Sequence, residues 1–547
     1  MNYTAKKNIP VDIIVKGNCL TSNKFGAGLE GKFESESGEI LVIPGFYSGD
    51  STWTVRFSSE KEEMWRYEIN SDTVILNGET KGTITINGDG NAPLSLKTKG
   101  THFITSDGKP FFYIGFECNF LPVLVASENG DKKLKTLVEN LKQGAFNVIE
   151  INAYGYDSSF YKGKTCDNDY GPAESRAWLE TDGGRELNLD YFRHYDEMMS
   201  YLLENGIYAH IYLKVYNKLE KLPERYSEEE SIYLRYMLAR YQAYPNLIWN
   251  YSKEGYFEAD KDYFYHNAKK IRCMDAYRHL CTIHDDLVYA LDPEYGKTVD
   301  FLVLQQFGEY ASSCMYYRER SKKPVVLGEF AQDYSWHVGT NKLSETQTHI
   351  FETKHNFASH DESQEDMTTP EEIVTWSYEA VMAGAGFQYY NIFLCWDVIQ
   401  WDYLPFTYHY YKQMKEFFSQ FNMLDFEPSP ESSMWQIPCL DDHKGTLLIL
   451  IEPEKSFNSE PAMKGIRRAS GYNRGEAWVT RNKSKEFLSY KAFGIFSGKI
   501  YDFKPIDMLK GRTDISSEDA LYHYKDIDLL RAPDEEPIIV ILKYQNK

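Results

Sequence analysis

No stretch of this sequence approaches the ~20 consecutive apolar residues of a membrane-spanning helix. No basic amphipathic segment suggests a membrane surface, so no membrane partner is expected. Positive charge is in short supply: 60 Lys and Arg against 81 Asp and Glu leave a formal net charge of −21. Such a chain repels phosphate backbones, which argues against nucleic acid as a partner. The eight cysteines stand at 19, 118, 166, 273, 281, 314, 395 and 439, with no CxxC and no metal-ligand spacing. Scattered thiols, some inside apolar runs such as "NIFLCW", read as reduced and buried, which fits a cytoplasm. The N-terminal "MNYTAKKNIPVDIIVKGN" lacks the continuous apolar centre of a secretory signal, and supports the same localisation. GxGxxG, Walker and HExxH patterns are absent, so neither a nucleotide cofactor nor a metal is expected.

Aromatic residues, by contrast, are plentiful: 43 Tyr, 31 Phe and 10 Trp make 15% of the chain. An excess of this kind builds large cores. It is also what a carbohydrate site needs, because the C–H face of a sugar packs on an aromatic ring. At 547 residues the chain is too long for one core and is expected to divide into several.

Residues 1–95 carry short alternating stretches, "GEILVIPGFYSGD", "STWTVRFSS" and "MWRYEINSD", broken at Gly, Asp and Ser. They predict an N-terminal β-sandwich. Near residue 100 the pattern changes. "THFITSDGKPFFYIGF" predicts a hairpin with an Asp107-Gly108 turn. From there to about 425, eight apolar strands alternate with helices, the strands starting at about 111, 146, 207, 246, 281, 300, 324 and 387. Strands apolar on both faces are those of a buried parallel sheet. Eight such units over residues 96–425 predict a (β/α)8 barrel. A doubly wound sheet is the alternative, and would more often carry a Gly-rich phosphate loop. Residues 426–547 return to strand-like segments such as "TLLILIEPE" and "PIIVILKY", which predict a C-terminal β-sandwich.

In a barrel of this kind the C-terminal ends of the strands form the active site. The polar residues there are Glu117 on strand 1, His210 and Tyr212 on strand 3, Asn250 and then Glu254 on strand 4, His284 on strand 5, Gln306 on strand 6 and Glu329 on strand 7. Trp396 and Trp401 follow strand 8. A carboxylate at a buried strand end must be paired or take a raised pKa. One such glutamate is accounted for by a salt bridge under a loop. Two of them, at the facing ends of strands 4 and 7, suit glycosidic-bond cleavage: one protonates the leaving oxygen, while the other attacks or activates water. Carboxyls about 5–5.5 Å apart give retention, and about 6.5–9.5 Å inversion. Around them Glu117 would grip a hydroxyl pair, and Trp396 or Trp401 would stack a sugar. His284 would bond a hydroxyl or Glu329, and His210, Tyr212, Asn250 and Gln306 are candidates to line the substrate.

"NLIWNYSKEGY" and "PVVLGEFAQ" resemble the acid/base and nucleophile strands of the retaining (β/α)8 glycoside hydrolases with glutamates on strands 4 and 7. "GKPFFYIGFE" and "WNYSKE" are most similar to the apiosidase-like and endoglucanase-like barrels. "PGFYSGDSTWTVRFSSEKEEMWRYEI" resembles the β-sandwich that precedes such barrels. The resemblance implies Glu254 as general acid/base and Glu329 as nucleophile, acting on an oligosaccharide without a cofactor. It departs in one place: the family pattern has adjacent Asn and Glu, whereas here Tyr251, Ser252 and Lys253 separate Asn250 from Glu254. Lys253 would pair with Glu254 if it turned inward, and strict alternation points it away. The apparent lack of a signal suggests imported short substrates, hence an exo mode. The two β-domains are expected to brace the barrel or build a homo-oligomer. Two other classes are a catalytically inactive carbohydrate-binding protein, which would keep the aromatics and lose a glutamate, and a metal-dependent barrel hydrolase. The latter would want HxH where Phe116-Glu117-Cys118-Asn119 stands.

Overall fold

The structure is a computed structural model. It describes residues 1–154, 176–181, 184–216, 222–306, 308–330, 370–391, 394, 401–429, 437–453, 476–480, 485–505, 527–532 and 536–546. Trp396 lies outside the described residues.

Eight parallel strands form the central sheet: strand 1 (Ile114–Glu117), strand 2 (Val148–Asn152), strand 3 (Tyr208–Tyr212), strand 4 (Leu247–Asn250), strand 5 (Leu280–Thr282), strand 6 (Leu302–Gln305), strand 7 (Val325–Glu329) and strand 8 (Gly386–Tyr389). They pair in sequence, and strand 8 returns to strand 1 through Phe387 opposite Ile114. Strands 5 and 6 close the ring more loosely, through a bridge between His284 and Val303 and a bond from the Asp300 amide to the Cys281 carbonyl (2.8 Å). The chain is therefore a (β/α)8 barrel. The helices begin where capping residues stop the loops. Ser227 accepts from the Glu230 amide ahead of helix Glu228–Tyr241, and Asp260 accepts from the Tyr263 amide ahead of helix Lys261–Met274. Each cap satisfies an amide that the first helical turn leaves bare.

The barrel interior is apolar below and polar above. Val148, Tyr208, Ile248, Leu280, Val303 and Val326 fill the lower layer, closed beneath by Leu96 and Phe103 of the hairpin Leu96–Lys99/His102–Thr105. The Asp107-Gly108 turn forms as expected, Gly108 taking a φ of 84°, but its antiparallel arm shrinks to a single bridge between Ile104 and Pro110. Pro110 has no amide to extend the ladder.

In the N-terminal sandwich a five-stranded sheet faces a four-stranded one. Phe33 stacks on Phe57 between them, ring centroids 4.4 Å apart. The sandwich is fastened to the helix that leads into strand 4. Arg235 donates to the carbonyls of Gly45 (3.0 Å) and Leu29 (2.7 Å), and Arg56 to that of Arg240 (2.9 Å). At the C-terminus a six-stranded sheet is accompanied by a two-stranded one. Its strand Thr446–Ile451 is buried on both faces: Leu447, Ile449 and Ile451 join one core, while Leu448 and Leu450 join that of the barrel. This explains the unbroken apolar run there.

Candidate active site

Strand 7 answers a question of parity. Val326 faces the barrel interior and Val325 and Leu327 face the helices, so simple alternation would turn Glu329 outward as well. The register with strand 6 skips one residue: Leu304 pairs with Leu327, and Gln305 with Glu329. Gly328 is the extra residue, and such a bulge re-aims the side chain that follows it. A Cβ at Gly328 would sit 2.4 Å from Val303 Cγ1 and 3.0 Å from Gln388 Oε1, so only glycine fits. Glu329 is thereby brought to the mouth, 8% exposed, with its Oε2 3.6 Å from Lys253 Nζ.

Strand 4 ends at Asn250. The Asn250 Oδ1 accepts from the amides of Ser252 and His284, both at 3.1 Å, and ties the exits of strands 4 and 5 together. Four residues beyond Asn250, Glu254 has a φ of 52°. A left-handed conformation in a residue other than glycine costs on the order of 1–3 kcal/mol and is held by its surroundings. Here the surroundings are the Gly255 amide bonded to the His284 carbonyl (3.0 Å) and the Glu254 amide facing His284 Nδ1 (3.5 Å). The Glu254 side chain is buried at the mouth, close enough to Tyr256 for its charge to act on the phenol. Burial raises the Tyr256 pKa first, and the charges of Glu254 and then Glu329 raise it further, so both carboxylates act on one phenol.

Lys253 turns inward, not away. It is 1% exposed and ion-pairs with Glu117 as well as Glu329. Alternation does not govern it, because the strand has already ended and its amide bonds the Lys214 carbonyl (2.8 Å). Glu117 also accepts from Asn119 Nδ2 (2.5 Å).

The remaining expected residues form the floor and rim. His210 is fully buried one layer down, against Tyr113 Oη (3.0 Å), Asn250 Nδ2 (3.0 Å) and Glu150 Oε1 (3.2 Å). Burial lowers its pKa to about 3, so the ring is neutral. Burial likewise holds His284 well below the usual range, helped by the charge of Lys253. Tyr212 is buried beside both rings. The Gln306 amide bonds the Glu329 carbonyl (2.8 Å), which places it at the rim. Trp401 is half-buried, with Lys132 Nζ 5.8 Å from its ring centre.

Three features of the site go beyond the sequence reading. The first is the lysine, whose inward turn the sequence left open against strict alternation, and whose partners are Glu117 and Glu329. The second is the exposed pair Tyr256 and Phe257 directly after Glu254, rings 4.6 Å apart; their adjacency to the glutamate in "KEGYF" was the available signal. The third is Glu150, whose pKa burial and the neighbouring Glu117 push up to about 8. It is a neutral acid below that pH. The folded protein keeps this proton while the unfolded chain loses it near 4.5, so stability is lost as pH rises from about 4.5 to about 8. Glu150→Gln cannot ionise and should gain on the wild type by a few kcal/mol across that window. Urea midpoints at pH 5 and pH 8 read the gain; parallel shifts at both would contradict it.

Among the described residues no group of three His, Cys, Asp or Glu is arranged to hold a metal ion. An apolar cavity of about 550 Å³, lined by Phe111, Phe112, Phe418 and Phe421, lies at the opposite end of the barrel and contains none of the glutamates.

A family model described as Apiosidase-like, catalytic domain matches residues 97–401. A second, a domain of unknown function (DUF5060), matches residues 11–72 of the sandwich. No curated protein matches the chain. Among solved structures, a candidate glycoside hydrolase from Bacteroides vulgatus superposes with a TM-score of 0.70 at 16% identity, over 99% of this chain and 100% of that one. A glycoside hydrolase family 5 protein from Bacteroides vulgatus superposes with a TM-score of 0.53 at 15% identity, over 82% of this chain and 93% of that one. These two establish the architecture, and the family model, matching more than half of the sequence, establishes kinship: the chain belongs to the apiosidase-like catalytic domain family and is a glycoside hydrolase.

Proposed function

We propose that the enzyme cleaves an oligosaccharide with net retention, Glu329 serving as nucleophile and Glu254 as acid and then base. The observation that carries this reading is that Glu329 Oε2 lies 3.6 Å from the ammonium of Lys253, the residue directly before the buried Glu254, which brings the two acids to one end of the barrel. In the first step Glu329 bonds the anomeric carbon, the bond to the leaving oxygen breaks, and Glu254 gives that oxygen its proton. In the second, Glu254 takes a proton from water, the water oxygen bonds the anomeric carbon, and Glu329 departs as carboxylate.

Tyr256 and Phe257, 47% and 59% exposed beside the acid/base, would stack a leaving-group sugar. Glu117, Asn119, Asn152 and Tyr212, all at most 1% exposed, would floor the other side. We further propose an exo mode of action. The six cysteines among the described residues are free thiols, which supports the cytoplasm as the proposed compartment. We further propose folding units of residues 1–95, 96–425 and 426–547.

The test is a panel of nitrophenyl glycosides with the product anomer followed by NMR. The expected first product has the anomeric configuration of the substrate, with the other anomer appearing only by mutarotation. Immediate appearance of the inverted anomer would sink the mechanism.

A further inference from the structure

Lys253 is an ammonium with 1% of its side chain exposed. An unpaired buried charge costs several kcal/mol, so the group must either lose its proton or be surrounded by anions. Burial does push its pKa down, but Glu117, Glu329 and Glu254, in that order of strength, reverse the effect and raise it. Among the described residues its titratable neighbours come from five strands and the turn after strand 4. Strand 1 presents Glu117 and Asn119, strand 2 the neutral acid Glu150, and strand 3 the neutral His210 and the Tyr212 ring, 5.7 Å from Nζ. The turn after strand 4 presents Glu254, strand 5 the neutral His284, and strand 7 Glu329.

We propose that Lys253 is a positioning residue for the nucleophile, a deepening that rests on the glycosidase reading above. Its ammonium keeps Glu329 ionised and aimed at the anomeric carbon, while its tighter pairing with Glu117 keeps it from quenching Glu329 as a nucleophile. Two carboxylates crowded together without a cation share a proton, and a protonated Glu329 cannot attack. The pairing also fits the reaction's charge balance. When Glu329 becomes a neutral glycosyl ester, Lys253 loses one anion. Glu117 remains, so no uncompensated charge is left buried in the intermediate.

The experiment uses Lys253→Met and Glu117→Gln in the full-length protein. The pH dependence of kcat/KM on a nitrophenyl glycoside turned over by the wild type reads the ionisation of the free-enzyme nucleophile. Lys253→Met should move the acid limb up by about 1 to 3 pH units, and Glu117→Gln should move it down, because Glu329 then has the ammonium to itself. A loss of activity uniform over pH, with both limbs in place, would mean a merely structural lysine and overturn the proposal. The second readout needs no substrate: net charge at pH 6 by capillary electrophoresis, where Glu150 is neutral with or without the lysine. The charge of Lys253→Met should equal that of the wild type, since a carboxyl takes up the proton lost with the amine. A variant one unit more negative would refute the assignment. Should the wild type turn over no glycoside at all, the glycosidase reading fails, and the electrophoretic arm still decides whether Lys253 holds a carboxylate ionised. If Lys253→Met does not fold, the opposite shift expected of Glu117→Gln carries the test.

Discussion

Replacing Glu329 by Gln is expected to lower kcat by at least about 10⁴-fold on any aryl glycoside the wild type cleaves, because an amide cannot form the glycosyl ester. Affinity for the sugar and thermal unfolding should change little, since Lys253 keeps its closer partner Glu117. Glu254→Ala should behave differently. On substrates with a good leaving group the first step needs little acid, so the glycosyl-enzyme forms and accumulates, and the overall loss is about 10²–10⁴-fold. Azide, an anion that needs no general base, should then restore turnover and yield a glycosyl azide of retained configuration. Azide should not give that product with Glu329→Gln, which forms no glycosyl-enzyme. If the two variants respond alike to azide, the roles assigned to the carboxylates are wrong. Retained turnover in Glu329→Gln would remove the nucleophile from strand 7 altogether.

The second large effect concerns stability. Asp196, on the helix Leu189–Glu204, receives Arg240 Nε (2.8 Å) and Arg56 Nη2 (3.0 Å), which join barrel and sandwich. Burial alone would raise its pKa; Arg56 and Arg240 more than offset this and hold it below the usual carboxylate range. Asp196→Ala leaves two guanidinium groups, each with 7% side-chain exposure, facing one another across the seam. Removing one partner of a buried ion network costs about 3–5 kcal/mol. Asp12→Ala removes the outer partner of Arg56, whose own carboxyl is 39% exposed, and should cost much less. Urea denaturation of both variants checks the ranking. Equal, small losses would show that the sandwich is not braced through this seam.

Much of this was legible before any coordinates, and the boundary can be drawn residue by residue. The apolar runs that end in Glu117, Asn250 and Glu329 read directly as barrel strands, because a parallel strand buried on both faces leaves an unbroken hydrophobic signature. Their carboxyl-terminal polar residues were identifiable for the same reason: a polar group at the end of such a run stands where the barrel opens. The side-chain directions were not legible. Alternation would have faced both Glu329 and Lys253 away from the interior. A one-residue bulge at Gly328 turns the first inward, and a strand that stops at Asn250 frees the second.

By itself, then, the sequence determined a barrel between two β-rich regions and the pair of acids at the ends of strands 4 and 7. Hydrophobic periodicity is a local property, written in each segment. Only the tertiary structure decided that Lys253 joins Glu117 to Glu329, that Glu150 keeps its proton, and that Asp196 fastens the sandwich. Each of these depends on charges from distant segments meeting where water is excluded. The energy of such a meeting is set by distance and burial, which no single stretch of chain encodes.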